Sequence, residues 1–496
     1  MKISLGLPTV TTIAIALLFM VPRAIRAQTT QKFEPRQLRE DFQIARQSLE
    51  EGQSGLYRYT KKADLDRIFD AAEKSLDHPM DFFEFYRVMM PTIAAIKGGH
   101  TTVGTPAAIQ EETERQPWLP FDVKVLDSKA YVFRDYAHGG SLAGKEILSI
   151  NGVPATRIIS TMLAAVSKDG DIQTSRQREI SYYFGWDLIT LLELRAPYEV
   201  VLEDPGSSKT EGVQLAGLKH EDMEKLSKTL YPQDQPRKDF ADLKFLDDGQ
   251  IAVVTYSVFG EYVDEGTAFM KSSFEAIRSK GSRALILDLR GNPGGEDLLG
   301  ALLFSYLADA PFKYSEDIFV NKWTGTFNFA KYTDPHRDLR IPDGVAELRA
   351  DGRAHITLAS EPLLGIQQPS KPAFTGPLYI LIDGGCFSTT SDFLAVADFH
   401  HRGTFIGEES GGGYYGSTSG DSARISLPNT KMVMFIPGMD GYDAVGHTHD
   451  AARGVIPDFP VKHTIADLLA GVDKDFELAL ELARKRLLSA KTVAPF

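Results

Sequence analysis

The stretch LIDGGCFSTTSDFLAVADF, residues 381–399, changes from a strand pattern to a helix pattern within a few residues. A branched apolar run ends at Gly384-Gly385, a cluster of hydroxyl side chains follows, and an apolar helical pattern begins at Phe393. The hydroxyl side chains are those of Ser388, Thr389, Thr390 and Ser391. Hydroxyls often cap a helix, but the helix dipole and the amide of the next residue also favour a serine nucleophile at this position. The sequence therefore predicts a strand, a turn and a helix, with a candidate nucleophile in the turn.

Strands alternate with helices around this stretch. IAVVTYSVF precedes a helical pattern over 263–279, RALILDL precedes a glycine-rich turn at 293–295, and TFIG follows the helix predicted over 390–399. Continuous apolar strands separated by helices are typical of an α/β core whose sheet is covered on both faces. Residues 313–375 interrupt the alternation and are predicted to form a long insertion.

Two regions of different character precede this core. Leu38, Phe42 and Leu49 recur at helical spacing, and Asp81 is the expected N-cap of a later helix. FDVKVLDSKAYVFRDY, after Trp118, instead alternates across a turn as paired strands do. The predicted organisation is a signal peptide (1–27), a helical region (28–115), a β-rich module (116–215) and an α/β domain (216–496) that contains the insertion.

Charge and cysteine content narrow the functional classes. The 496 residues carry a formal net charge of -13, which argues against nucleic acid as a partner because phosphate binding needs a basic face. Cys386 is the single cysteine, so the chain has no internal disulfide. We interpret Cys386 as a small buried side chain beside the candidate nucleophile.

The amino terminus has the layout of a secretory signal peptide. Lys2 precedes an apolar stretch, and the small residue Ala27 ends it before a polar segment. A membrane anchor is the alternative, although the apolar stretch is short for a span of about 20 residues. We therefore expect cleavage near Ala27, no stable membrane span afterwards, and a periplasmic or extracellular protein.

A glycine-rich turn follows the strand LILDL. The segment LDLRGNPGGEDL, residues 287–298, contains three glycines and a proline before a helix begins. Glycines allow a close backbone approach, and their N–H groups at a helix N-terminus suit an oxyanion. A tight turn with no further role is the competing interpretation.

A serine nucleophile also needs a base, because its hydroxyl is barely ionised near neutral pH. KGGHTTVG, residues 97–104, offers His100 directly after a helix end and two glycines. A histidine in a loop is commonly only a solvated side chain. His100 becomes a candidate base because of the segments that accompany it.

Together, five segments in this order resemble the S41 peptidases, the tail-specific or carboxy-terminal-processing protease family. They are GGHTTV, AGKEILSINGVPA, LILDLRGNPGG, the nucleophile segment that continues to GEESGGG, and GVIPDFPV. The resemblance covers nearly all of the mature chain. It implies a ClpP/crotonase-like catalytic core, and it implies that residues 116–215 form a PDZ-like module.

The resemblance also implies the site residues. Ser388 corresponds to the nucleophile, with Thr389 and Ser391 as alternatives because the spacing to a following acid fits Thr389. The base is His100, as in the tricorn-like branch, since Gly413 stands where the Ser-Lys relatives carry their lysine.

The remaining parts of the implied site are an acid and an oxyanion hole. Asp450 is the expected partner of the histidine, with Asp458 as the alternative. The expected oxyanion donors are the backbone N–H groups of Gly294 or Gly295 and of Thr389.

The implied function is an exported serine-type endopeptidase that cleaves peptide bonds through an acyl-enzyme. Its expected partners are protein or peptide substrates, and we expect neither a cofactor nor a metal, because no ligand set of suitable spacing is present. One alternative is a non-catalytic protein that binds peptides or lipids on the same fold. Another is an esterase that uses the same serine chemistry. The natural substrate, the oligomeric state and a gating role for the insertion stay open at this point.

Overall fold

The computed structural model describes residues 31–232, 239–260, 263–320, 327–334 and 341–492. The expected signal peptide, residues 1–27, lies outside these ranges. Within them, none of the helices combines the length and the apolar composition that a bilayer crossing requires.

The helices of these ranges, numbered in chain order, are α1 (Pro35–Gly52), α2 (Lys62–Ser75), α3 (Phe82–Ala94), α4 (Ala107–Glu114), α5 (Ala155–Ala165), α6 (Gln173–Tyr182), α7 (Phe184–Thr190), α8 (His220–Leu230), α9 (Val263–Lys280), α10 (Asp297–Ser305), α11 (Thr389–Phe399), α12 (Ile465–Ala470) and α13 (Lys474–Thr492).

The strands are β1 (Thr102–Gly104), β2 (Phe121–Leu126), β3 (Lys129–Asp135), β4 (Glu146–Ile150), β5 (Val153–Pro154), β6 (Tyr198–Glu203), β7 (Thr210–Leu215), β8 (Ala241–Leu246), β9 (Ile251–Tyr256), β10 (Ala284–Asp288), β11 (Phe312–Lys313), β12 (Ser315–Val320), β13 (Ala346–Leu348), β14 (Ala354–Ile356), β15 (Ile366–Gln367), β16 (Leu378–Ile382), β17 (Thr404–Gly407), β18 (Thr418–Ser426), β19 (Val433–Asp443) and β20 (Phe459–Pro460).

The carboxyl-terminal region is built on a six-stranded sheet with the order β20-β17-β16-β10-β9-β8. Strands β9, β10, β16, β17 and β20 run parallel, and β8 pairs antiparallel with β9 at one edge. Parallel neighbours need crossover connections, and α9 and α11 lie in two of them. The sheet and its helices form the α/β core that the sequence predicts.

Both faces of this sheet are covered. Leu285 and Leu287 of β10 belong to a buried cluster that includes side chains of α9, α10 and α11. Ala284 and Ile286 point to the other face, where they pack in a cluster with Ala479 of α13. Successive side chains of a strand point to opposite faces, so burial of both faces explains the continuous apolar run.

A second sheet joins the predicted insertion to the carboxyl-terminal region. Its order is β1-β19-β12-β14-β13, and β18 also pairs with β19. Strands β12, β13 and β14 come from residues 313–375, and β12 pairs with β19. At the edge of this sheet, Thr102 of β1 lies opposite Phe435 of β19. This pairing brings the segment just before β1, which contains His100, to the carboxyl-terminal region.

Residues 116–215 contain an antiparallel sheet with the order β2-β3-β4-β6-β7. Asp127 and Ser128 form the predicted turn between β2 and β3, with φ angles of 45° and 63°. Ile158 and Met162 of α5 pack on the sheet in a buried cluster. Helices α5, α6 and α7 lie between β5 and β6, so the region is less purely β than the sequence suggests. Its assignment as a separate PDZ-like domain stays a prediction.

Helices α1 to α3 pack against β18 and β19. Leu38 and Leu65 share a buried cluster with Met434 of β19. Asp81 is the N-cap of α3, as predicted, because its carboxylate accepts from the Glu84 amide while the Glu84 carboxylate accepts from the Asp81 amide. The amino-terminal helices therefore share one core with the second sheet.

Arg58, between α1 and α2, is fixed by a buried ion pair. Its guanidinium contacts the Asp440 carboxylate and donates to the carbonyls of Gly441 and Tyr415. Only 6% of the Arg58 side chain and 4% of the Asp440 side chain are exposed. Removing one partner of such a pair leaves the other charge buried without compensation.

We therefore expect Arg58→Met to lower the free energy of unfolding by roughly 3–5 kcal/mol. Urea titration followed by tryptophan fluorescence measures the change. The matched control is Arg67→Met, because Arg67 pairs with Asp64 on the exposed surface of α2 and its loss should leave the titration unchanged. Equal stabilities of the two variants would contradict the assignment of Arg58 as a buried anchor.

Candidate active site

Strands β10 and β16 are neighbours and end at the same edge of the central sheet. Their register places Asp288 opposite Leu381, so the turns 289–296 and 383–388 start side by side. Ligands of α/β proteins gather at this edge, beyond the carboxyl ends of the parallel strands. The two segments singled out in the sequence are therefore adjacent in space.

Hydrogen bonds hold the two turns together. The Asp383 carboxylate accepts from the amides of Gly291 and Gly385, at 2.7 and 2.9 Å. The Phe387 amide donates to the Asn292 carbonyl at 3.1 Å. The turns therefore behave as one unit with a fixed mutual geometry.

Ser388 has a backbone conformation that side-chain-bearing residues rarely adopt. Its φ is 55° and its ψ is -133°. This region favours glycine, and occupying it costs other residues about 1–3 kcal/mol. Helix α11 begins at the next residue, and the Ser388 side chain makes no capping hydrogen bond to it. The hydroxyl is thus left available at the tip of a strained turn.

His100 approaches this turn because glycine precedes it. A Cβ atom at Gly99 would lie 2.6 Å from the Phe387 ring, which is too close for any side chain. The His100 imidazole stacks on the same ring, with centroids 4.6 Å apart and planes inclined by 29°. Gly99 and Phe387 therefore set how closely the histidine meets the nucleophile turn.

The structure brings His100 and Ser388 into contact. His100 Nε2 lies 3.2 Å from Ser388 Oγ, within hydrogen-bonding distance of a nucleophile and its base. If the hydroxyl donates to Nε2, the imidazole proton is on Nδ1. His100 Nδ1 is buried and has no hydrogen-bond partner among the described residues.

The surroundings of His100 favour the neutral imidazole. Burial lowers its pKa, the Asp169 carboxylate raises it in part, and the Lys168 ammonium lowers it again. The net pKa lies below the usual value of about 6.5. A neutral imidazole at neutral pH is the form that accepts a proton.

The hydroxyls of the two alternative nucleophiles, Thr389 and Ser391, are engaged elsewhere. Thr389 Oγ1 contacts the Gly295 carbonyl and the Asp297 carboxylate, and Ser391 Oγ donates to the Cys386 carbonyl. Both side chains are buried, whereas Ser388 is partly exposed. This geometry favours Ser388 over the two alternative nucleophiles.

Cys386 is also a poor nucleophile. Its thiol is fully buried and lies 3.2 Å from the Leu289 carbonyl. Burial raises the pKa of this thiol well above its usual range, so the thiolate is disfavoured.

Backbone N–H groups flank Ser388, but one expected donor is already bonded. The Gly294 amide donates to Asn292 Oδ1 at 2.9 Å. The amides of Gly295 and Thr389 have no acceptor among the described residues. Of the two glycines expected as oxyanion donors, Gly294 therefore has an occupied amide, and Gly295 stays the candidate.

Gly295 itself needs to be glycine. Its φ is 142°, and a Cβ atom there would lie 1.7 Å from the Phe259 carbonyl. Gly294 is equally confined, because its Cβ would lie 2.7 Å from Ser388 Cβ. The glycine pair lets the two turns approach as closely as they do.

The two acids expected to support His100 are not joined to it by any contact among the described residues. The exposed Asp450 carboxylate accepts from the Ala452 amide at 2.9 Å. The Asp458 carboxylate accepts from the Phe405 amide at 2.8 Å and supports the sheet edge.

Asp169, in the loop after α5, is the carboxylate that acts on His100. It is fully buried, and its oxygens accept from the amides of Gly99 at 2.7 Å and Gly413 at 3.3 Å. No sequence pattern singles out Asp169, because SKDGD at 167–171 has the composition of an ordinary polar loop.

Gly413 leaves no room for a lysine base. A Cβ atom at this position would lie 2.3 Å from the Tyr59 hydroxyl. The absence of lysine in GEESGGGYYG therefore agrees with the local packing.

Comparisons with known proteins concern the region that contains the two turns. Residues 250–461 match the model of peptidase family S41, which covers both turns. This part of the chain belongs to the family. The protein is accordingly a serine-type peptidase that acts on proteins or peptides, in line with the resemblance seen in the sequence. No curated protein matches the sequence.

The solved structures confirm the predicted fold class. Mature CPAF matches with a TM-score of 0.62 and 14% sequence identity, over 93% of this chain and 99% of that chain. Mature CPAF complexed with lactacystin gives 0.60 at 14% identity, over 91% and 98% of the two chains. A putative peptidase from Parabacteroides merdae gives 0.47 at 15% identity, over 91% and 97%.

The strain at Ser388 predicts that Ser388→Gly is more stable than Ser388→Ala by about 1 kcal/mol. Glycine adopts this conformation freely, and the relief of strain exceeds its larger entropy loss on folding. Thermal unfolding of the two variants measures the difference. Ser391→Gly and Ser391→Ala are the control pair, because Ser391 is inside α11, where glycine is the less stable residue. The same order of stability at both positions would show that Ser388 is unstrained.

Proposed function

We propose that this S41 peptidase is an exported endopeptidase with Ser388 as nucleophile and His100 as general base. The observation that carries the proposal is the 3.2 Å contact between His100 Nε2 and Ser388 Oγ at the tip of the strained turn. The Phe387 ring stacks on the imidazole and helps to fix the contact, and the lowered pKa of His100 favours the neutral imidazole.

Acylation follows from this arrangement. Ser388 Oγ attacks the carbonyl carbon of the scissile peptide bond while its proton passes to His100 Nε2. The tetrahedral intermediate collapses when His100 returns the proton to the leaving amine, and the C–N bond breaks. Water then enters and gives a proton to His100 while its oxygen attacks the ester carbonyl carbon. The C–O bond to Ser388 breaks, and His100 returns the proton to Ser388 Oγ.

The amides of Gly295 and Thr389 are the proposed oxyanion donors. Thr389 directly follows Ser388, and its hydroxyl donates to the Gly295 carbonyl. The N–H groups of Gly295 and Thr389 are free of acceptors within the described residues. Donors fixed before the reaction stabilise developing negative charge without reorganisation, and one such donor is worth about 2.7–4 kcal/mol. The glycine conformation and the start of α11 fix these two donors.

Asp450 is not part of this proposal, because its carboxylate bonds to the Ala452 amide and shows no contact with His100. Residues 116–215 are proposed to recognise a peptide strand, as their resemblance to a PDZ-like module implies. β7 forms one edge of their sheet and most of its side chains are exposed, so it is the edge open to a further strand.

The proposal is tested by replacing the nucleophile and the base. Ser388→Ala and His100→Ala should each lower kcat for peptide cleavage by about a millionfold, as removing either member of such a pair does. Cleavage of a quenched fluorescent peptide library measures activity, and a fluorophosphonate probe measures labelling of the serine. Circular dichroism checks folding.

Ser391→Ala is the matched control, because this hydroxyl belongs to the same helix but donates to a backbone carbonyl. It should keep activity and labelling close to wild type. Labelling that persists in Ser388→Ala would remove Ser388 from its role. Labelling without cleavage of any peptide, combined with turnover of simple esters, would show an esterase.

Export is the second part of the proposal, and it is based on residues 1–27. We expect the secreted or periplasmic fraction of an expressing cell to contain a chain that begins near residue 28. Intact-mass spectrometry of that fraction measures the amino terminus. A full-length chain that stays with the membrane fraction would favour the anchor instead.

A further inference from the structure

The Asp169 carboxylate belongs to the β-rich module, residues 116–215, and lies at its contact with the candidate active site. The loop that carries it follows α5, and the residue is fully buried. One oxygen accepts from the Gly99 amide at 2.7 Å, and the other accepts from the Gly413 amide at 3.3 Å. Both glycines lie near the proposed reacting pair. Gly99 directly precedes His100. Gly413 follows Gly412, where a Cβ atom would lie 3.3 Å from the Phe387 ring.

His100 needs a negative charge close by during the proposed reaction. Its imidazole becomes an imidazolium when it takes the Ser388 proton, and the Nδ1 side of the ring is buried. A buried cation without a compensating charge is costly. Within the described residues, Asp169 is the acid whose charge favours the imidazolium, and it acts against the Lys168 ammonium on the same loop.

We propose that Asp169 is the positioning residue of His100, because it fixes the backbone that carries the imidazole and places a carboxylate beside the forming imidazolium. This inference rests on the proposed function and assigns to Asp169 the supporting role expected for Asp450. The Gly99 amide is the point of attachment, one residue before the base.

If Asp169 positions His100, part of the β-rich module, residues 116–215, is a component of the active site. The loop and α6 are attached to the nucleophile region at three points. The Asp171 amide donates to the Ala452 carbonyl at 2.7 Å, Thr174 Oγ1 donates to the Glu409 carbonyl at 2.9 Å, and Arg178 pairs with Asp383 at 2.9 Å. Asp383 is the residue that joins the two catalytic turns.

Other titratable groups face this site from the surrounding elements. Lys168 pairs with Glu179 of α6 at 3.1 Å, and its ammonium lies 5.5 Å from the Phe387 ring centroid. The buried Tyr59 hydroxyl, from the segment before α2, lies near Asp169, and burial keeps it protonated by raising its pKa. Ser388 faces the imidazole from the turn just before α11.

The test replaces the carboxylate with its neutral isostere. Asp169→Asn should lower the second-order rate of fluorophosphonate labelling by roughly 10²–10⁴-fold, in the range seen when the acid behind a catalytic histidine is neutralised. The probe reacts with Ser388 directly, so the natural substrate need not be known. Asp169→Ser, which keeps an acceptor in a smaller side chain, serves if the amide variant fails to fold by circular dichroism.

The pH profile of labelling separates a charge effect from a structural one. The neutral imidazole is the reactive form, so the rate falls as pH drops through the pKa of His100, which lies below about 6.5. Asp169 raises that pKa, so its removal should move the acidic limb to still lower pH. A variant that merely loosened the loop would lose rate without this shift.

Two control variants locate the effect. Asp171→Asn is on the same loop and loses only the exposed pair with Lys97. Asp450→Asn changes the acid that the sequence favours. Both should keep the rate within about threefold of wild type and leave the acidic limb in place.

The inference is overturned if Asp169→Asn keeps the wild-type rate and acidic limb, or if Asp450→Asn produces the expected loss. If the proposed function itself fails, wild type is not labelled at any pH, which is a different outcome. The inference can then still be tested by NMR titration of His100 in Ser388→Ala, with and without Asp169→Asn. The pKa of His100 should be lower in the variant that lacks the Asp169 carboxylate.

Discussion

The parallel pairing of β10 and β16 is the interaction on which the site depends. It starts two turns side by side, and the Asp383 carboxylate then joins them through two amides. One turn presents the Ser388 hydroxyl and the other presents glycine N–H groups. The proposed site needs both turns. The burial of both sheet faces supplies the stability that allows Ser388 to keep a strained backbone.

The sequence predicted the fold well where local pattern and final burial agree. β10 and β16 are continuous apolar runs because both of their faces are covered, and Asp81 caps its helix as its spacing indicates. The segment 313–375 was harder to interpret. Its strands β12 and β14 belong to a sheet completed by β19, more than 70 residues further along the chain, and local pattern does not contain such a pairing.

The parts of the candidate site that belong to short sequence motifs could be predicted, and the parts that depend on contacts made in the fold could not. Ser388 and His100 belong to recognisable segments, and the structure places them in contact. The occupied amide of Gly294 was not predictable, because it depends on how the Asn292 side chain folds back within the turn. The role proposed for Asp169 could not be predicted for a different reason. An acidic residue in a polar loop looks ordinary in the sequence, and only the folded structure places its carboxylate against two glycine amides.

His100 and Ser388, the proposed reacting pair, are 288 residues apart in the chain, and the loop with Asp169 lies between them. Ribosomal synthesis therefore makes the imidazole first and the hydroxyl much later, and β19, which holds β1 in place, later still. If His100 and Ser388 are the reacting pair, a partly made chain lacks an assembled centre. We therefore expect a peptidase built in this way to become active only after nearly the whole polypeptide has emerged and folded.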